Sequence, residues 1–164
     1  MGERHGAQFP TKAAGTLVAT PRRMDAERER PFPLSTLTYQ IIACFFEVFR
    51  ELGHGFSEIV YQRALAIVLI ERGFDVAMEE RIPVQFHGQI IGTFEADLVV
   101  NGMVIIEIKA TETIENYAVA QCLNYLKAAG GGVGLILNFG RKPQHRRFVF
   151  GDNPSDSLPV LRRP

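Results

Sequence analysis

The chain has 164 residues, 46% hydrophobic and 22% charged, with 18 Lys+Arg balancing 18 Asp+Glu; that is room for one domain with a real core, and the zero net charge means any nucleic-acid surface must be local. Cys44 and Cys122 sit in helical patterns without metal-ligand spacing, which argues against a zinc site or a disulfide framework and for buried thiols in a reducing cytosol. No apolar run approaches the roughly 18 residues of a membrane span, and the N-terminus has no signal-type segment, so the expected location is cytoplasmic with no membrane partner.

Residues 1–33 are polar, carry charges of both signs and close on Pro31-Phe32-Pro33. They bury too little to offset chain entropy and are expected to form a flexible arm. A first helix is predicted from about Ser35 to Leu52, capped by Ser35 or Thr36, with Leu37, Ile41, Cys44, Phe45, Val48 and Leu52 at helical spacing and Gly53 as its stop. A second is predicted from near Ser57 to Arg72, ended by Gly73. Ala64 to Ile70 is apolar on nearly every side, which predicts deep burial, and Glu58 and Tyr61, three apart, share a face.

Strands follow. From Phe74 to Phe86 apolar and polar residues alternate, with an interruption at Glu80; His87-Gly88-Gln89 turns the chain into a strand from Ile90 to Val100, and Asn101-Gly102 turns it again into Met103 to Lys109. The apolar sets Phe94, Ala96, Leu98, Val100 and Val104, Ile106, Ile108 are expected to meet one core. A two-residue loop would pair Asp97 with Ile106 and throw those sets onto opposite faces. A three-residue loop, Val100-Asn101-Gly102 with a left-handed glycine and a bulge, pairs Val99 with Met103 and Asp97 with Ile105. Asp97, Glu107 and Lys109 then share a face, with Glu95 opposite Glu107.

A third helix is predicted from about Thr113 to Ala129, with Ile114, Tyr117, Ala118, Cys122 and Tyr125 facing inward and Gln121 among them in need of a polar partner. Tyr117 and Tyr125 read as core. Gly130-Gly131-Gly132 breaks the helix, Val133 to Asn138 reads as a buried strand, and Arg141 to Arg147 as a basic loop before a last strand at Phe148 to Phe150. Arg141, Lys142, Arg146 and Arg147 are candidate nucleic-acid contacts. Residues 151–164 are an irregular tail, leaving 34–150 as the domain, in the order α-α-β-β-β-α-β-β. His54 and His87 read as turn residues.

Asp97, Glu107 and Lys109 on an aliphatic sheet are costly to desolvate. Two carboxylates about 4 Å apart repel by roughly 4 kcal/mol at an effective dielectric of 20, which Lys109 offsets only in part. The bland alternative is an exposed ion pair on a solvated strand.

Gly55-Phe56-Ser57-Glu58-Ile59-Val60-Tyr61 resembles the signature of the GxxExxY family, and Ala96-Asp97-Leu98, Glu107-Ile108-Lys109 and Ala120-Gln121-Cys122-Leu123-Asn124-Tyr125-Leu126 follow in that family's order. The likeness covers roughly Leu37 to Phe150. GxxExxY proteins are similar to the PD-(D/E)xK nuclease superfamily, and the resemblance implies an α/β, restriction endonuclease-like core, αβββαβ, with a mixed central sheet flanked by helices. Glu95-Ala96 stands where that superfamily's proline precedes the aspartate.

By this resemblance the protein is a divalent-metal-dependent nuclease hydrolysing phosphodiester bonds in DNA or RNA. Asp97, Glu107 and the carbonyl of Ile108 would hold Mg²⁺ or Mn²⁺, with Glu58 as a further or water-mediated ligand. Lys109 would hold or deprotonate the attacking water, its pKa lowered by the cation and by burial. Gln121 would contact Lys109 or a substrate phosphate, and Gly55 and Tyr61 would support Glu58. A single site that cuts both strands calls for a homodimer. The alternatives are an inactive nucleic-acid-binding or adaptor domain of the same fold, and a protein-interaction module using the acidic face.

Overall fold

The computed structural model describes residues 34–151; the expected arm of residues 1–33 and the tail beyond Gly151 lie outside them. Two helices, α1 (Ser35–Leu52) and α2 (Glu58–Glu71), precede the strands β1 (Val76–Phe86), β2 (Gln89–Val100) and β3 (Val104–Lys109). Helix α3 (Asn116–Ala128) leads to β4 (Gly132–Asn138) and β5 (Gln144–Phe150). The five strands lie in the order β1-β2-β3-β4-β5, antiparallel except for the parallel pair β3·β4, which α3 connects. The expected mixed sheet flanked by helices is present.

The helical stripe of α1 buries Ile41, Cys44, Phe45 and Val48. Its N-cap is Leu34 in a left-handed conformation rather than Ser35 or Thr36, and the Thr38 hydroxyl donates to Leu34 O and Ser35 O. Helix α2 buries Leu65, Ala66 and Leu69 but leaves Ile67 and Ile70 more than half exposed. The expected all-round burial fails because α2 meets the sheet and α1 on one side only.

Both faces of the sheet are covered. Leu98, Val100, Val104, Ile106 and Ile108 pack against α1 and α2, whereas Val99 and Ile105 pack against α3 with Tyr125, Leu126 and Ala129. Phe94 and Ala96 belong to the α3 side although Leu98 and Val100 do not, so the expected single apolar face of β2 is wrong. The strand rolls over at Asp97. Its neighbour β1 rolls with it: Met78↔Leu98 and Glu80↔Ala96 flank the position, and Glu79 between them has a φ of 53°. The break in alternation is therefore at Glu79, not Glu80.

The β2–β3 connection keeps the expected parity with a shifted register. Val100 pairs with Val104, Val99 with Ile105 and Leu98 with Ile106, so the loop is Asn101-Gly102-Met103 rather than Val100-Asn101-Gly102. Asn101 explains the shift: its N–H donates to Asp75 O at 2.7 Å and its Oδ1 accepts from Asp75 N at 2.9 Å. Asn101 and Gly102 both take positive φ, which those residue types tolerate best. Glu95 consequently does not face Glu107; it pairs with Arg81 on β1 and is exposed.

At the other end of the sheet, β5 starts at Gln144, so His145, Arg146 and Arg147 pair with β4 instead of forming a loop. Helix α3 starts at Asn116, later than Thr113, and Tyr117 is 75% exposed rather than core.

Candidate active site

The β2–β3 ladder ends at Leu98↔Ile106, and beyond it the two strands fork. Asp97 bridges the fork: its Oδ2 accepts the Ile108 N–H at 2.6 Å, doing with a side chain what a strand carbonyl would otherwise do. In an extended strand a residue's N–H and C=O point to the same edge, so the Ile108 carbonyl also faces the fork. The Lys109 carbonyl, one residue on, points the other way and accepts Phe139 N–H at 2.7 Å.

Glu107 and Lys109, two apart, stand on one face of β3 beside the fork that Asp97 bridges. Glu107 is 2% exposed, and its Oε1 accepts from Lys109 Nζ at 2.6 Å. Its Oε2 is buried with no hydrogen-bond partner among the described residues. Burial pushes Glu107 up to about 7, with the Asp97 and Glu58 charges adding to the rise and Lys109 opposing it. Asp97 is raised by burial, against the pull of the Ile108 hydrogen bond and Lys109. For Lys109, burial acts downward but is outweighed by the hydrogen bond and charge of Glu107 and by Glu58 and Asp97, so its pKa is raised. In the metal-free protein this reverses the expected lowering.

Glu58, in the first turn of α2, is exposed and its Oε1 accepts the Ala110 N–H at 3.2 Å, just past the end of β3. Tyr61 does not turn toward it. Its ring is buried and stacks on Phe139 at 4.2 Å, while its hydroxyl donates to Gly53 O at 2.8 Å and accepts from Phe56 N at 3.2 Å. Tyr61 thus ties down the segment containing Gly55, whose φ of 113° suits glycine alone. Tyr61→Phe removes one donor and one acceptor from that segment and is expected to cost about 1–2 kcal/mol in urea unfolding.

Gln121 finds its partner one turn along α3, its Nε2 meeting the Tyr125 hydroxyl at 2.5 Å rather than Lys109. Its Oε1 is buried with no partner among the described residues. Of the basic residues, Arg141 faces Glu112 across 3.7 Å with both side chains exposed, and Arg146 is exposed on β5, two strands from Glu107 in the same cross-sheet row.

Two buried amides escaped the sequence analysis. Gln62 Nε2 donates to Asp97 O at 2.8 Å. Asn138, fully buried, accepts Thr111 N–H and donates to Thr111 O, both at 2.9 Å, which fixes the segment leaving β3. Each reads a backbone 27 or more positions away, and the only sequence signal is a polar residue inside an apolar pattern.

A comparison with protein families matches residues 35–148 to the PD-(D/E)XK nuclease superfamily. The chain belongs to that superfamily. No curated protein and no solved structure matches it. Asp97, then Glu107-Ile108-Lys109, follow the order of the acidic-x-lysine pattern in the superfamily's name, at a fork between two strands.

PD-(D/E)XK nucleases generally use divalent metals. Among the described residues no three His, Cys, Asp or Glu are gathered as a cation site. Mg²⁺ nonetheless commonly takes only one or two carboxylates, completing its shell with water and substrate phosphate. The donors here fit that habit: two hard carboxylates, a carbonyl edge and, in Glu107 Oε2, a buried oxygen with no partner among the described residues.

Proposed function

We propose that the protein is a divalent-metal-dependent nuclease acting on DNA or RNA. The observation that carries this reading is the strand fork, where Asp97 meets the Ile108 N–H beside a buried Glu107 paired with a partly exposed Lys109. A carboxylate pushed up to about 7 by burial is poorly stabilised by its surroundings alone, and groups perturbed in this way cluster at functional sites.

Asp97, Glu107 and the Ile108 carbonyl would hold Mg²⁺ or Mn²⁺, with Glu58 a further or water-mediated ligand. The bound cation supplies positive charge to the phosphate and acidifies a water. Lys109, kept protonated by its acidic neighbours, donates from Nζ to hold that water or a phosphoryl oxygen and to neutralise charge as the phosphorus becomes five-coordinate. Gln121, whose amide oxygen is buried with no partner among the described residues, is proposed to contact Lys109 or a substrate phosphate from α3. Arg141, Lys142, Arg146 and Arg147 are proposed to contact backbone phosphates farther along the substrate.

The test is cleavage of single- and double-stranded DNA and RNA with Mg²⁺, with Mn²⁺ and with chelator, alongside thermal melts. Wild type is expected to cut with metal only and to melt higher with it, and Asp97→Asn to lose both responses. At one hundred times the dissociation constant the metal adds about 2.7 kcal/mol. Unchanged melting at millimolar metal together with no cutting of any substrate rejects the reading. Tight nucleic-acid binding without cutting would instead identify an inactive binding domain.

A further inference from the structure

Helix α2 buries Tyr61, Gln62, Leu65, Ala66 and Leu69, and Gln62 is the polar exception. Gln62 is 4% exposed, in a place where an aliphatic residue would pack without needing a hydrogen bond. Burying an amide is unfavourable unless it finds a partner. Its partner is specific: Nε2 donates to the carbonyl of Asp97 at 2.8 Å, from 35 positions away. That carbonyl lies one residue beyond the last β2–β3 pair, Leu98↔Ile106, and opposite the left-handed Glu79. There the backbone ladder to β3 has ended.

Gln62 follows Glu58 by four residues, so the two lie on one side of α2. Glu58 Oε1 accepts the Ala110 N–H behind Lys109. One helical face therefore grips both prongs of the fork, β2 through Gln62 and the end of β3 through Glu58. With its backbone fixed, Asp97 can aim its carboxylate at Ile108 N.

We infer that Gln62 is a positioning residue that sets the backbone, and hence the carboxylate direction, of Asp97. The structural part stands on the hydrogen bonds alone, and its consequence for metal rests on the nuclease reading. Outer partners of metal-binding carboxylates are worth about 10–100-fold in affinity. Catalytic geometry relies on such support from packed side chains behind the reacting groups.

The experiment uses the full chain carrying Gln62→Leu, with Gln62→Met, unbranched and of similar volume, as the substitute if the leucine variant does not fold. Amide hydrogen exchange in metal-free protein is read at Ile108, whose N–H is held by Asp97, and at Ile136 in β4 as an internal control. The inference expects exchange at Ile108 to quicken at least about tenfold with Ile136 unchanged, and Mn²⁺ affinity by calorimetry to fall about 10–100-fold. Unaltered exchange at Ile108 overturns it. Equal acceleration at Ile108 and Ile136 also overturns it, since that reports general loosening. A wild type that binds no Mn²⁺ removes the nuclease reading instead, and the Ile108 amide still decides the role of Gln62.

Discussion

In metal-free protein at pH 8, Glu107→Gln is expected to melt several degrees above wild type while losing all metal-dependent cleavage. Glu107 is 2% exposed with one oxygen lacking a partner among the described residues, and burial pushes it from 4.5 up to about 7. A carboxyl that is harder to ionise in the fold than in the unfolded chain destabilises the fold wherever it is ionised. The cost is absent below about pH 4.5, grows between 4.5 and 7, and is complete above 7. At 1.36 kcal/mol per unit the ceiling is roughly 3 kcal/mol. Glutamine does not ionise and its oxygen still accepts from Lys109, but Lys109 loses a counter-charge, so about half that ceiling is the expected gain. For a domain of this size it corresponds to about 3–8 °C. The check is a pair of melts: the difference between variant and wild type at pH 8 should largely vanish at pH 4.5. An equal difference at both would show that ionisation of Glu107 is not its source.

A residue whose removal would stabilise the fold is one that packing and propensity cannot explain, and this is why the candidate site was legible from sequence before much of the fold's detail. Asp97, Glu107 and Lys109 stand out as charges in aliphatic strands, and pairing those strands through an odd-length loop brings them near one another. The connection keeps the expected odd length despite a two-residue difference in register, and only odd or even matters to which face a side chain takes while a strand stays regular. What failed was the assumption that one strand keeps one face throughout. The roll at Asp97 depends on a left-handed Glu79, a conformation that nothing in a glutamate announces. Glu95 was drawn into the site by the same register error.

The helices were legible from periodicity, and their ends from Gly53 and Gly73. Their exposed apolar residues were not, because a run such as Ala64 to Ile70 says that one face is buried without saying whether a second layer covers the other. Gln62 and Asn138 were invisible for a different reason: each serves a backbone group brought near only by the folded sheet. The basic residues near position 145 were noticed, but an alternation of only three residues, Phe148 to Phe150, hid the fact that Arg146 and Arg147 already belong to the strand.

Lys109→Ala is the most severe test of mechanism. Its Nζ lies 2.6 Å from Glu107 Oε1, and its side chain is 18% exposed against 3% for Glu107, so it sits at the mouth of the site with the carboxylate behind it. Removing it takes away the donor proposed to hold the attacking water. Single-turnover cleavage is expected to fall by about 10²–10⁴, the usual worth of a positioned proton-handling group. Lys109→Arg should not restore the rate, because a planar fork cannot replace a compact ammonium at this spot. Metal binding should respond differently. Lys109 is outside the proposed ligand set, and its loss leaves Glu107 buried without its counter-charge, which should lower the melting temperature of the metal-free variant and raise the Glu107 pKa further. Above that raised value, added Mn²⁺ then neutralises a more poorly paired carboxylate, so the melting-temperature increase it gives should be larger in Lys109→Ala than in wild type. Activity and metal response moving in opposite directions would separate a catalytic lysine from a purely structural one. Retention of wild-type cleavage in Lys109→Ala would remove this residue from the chemistry.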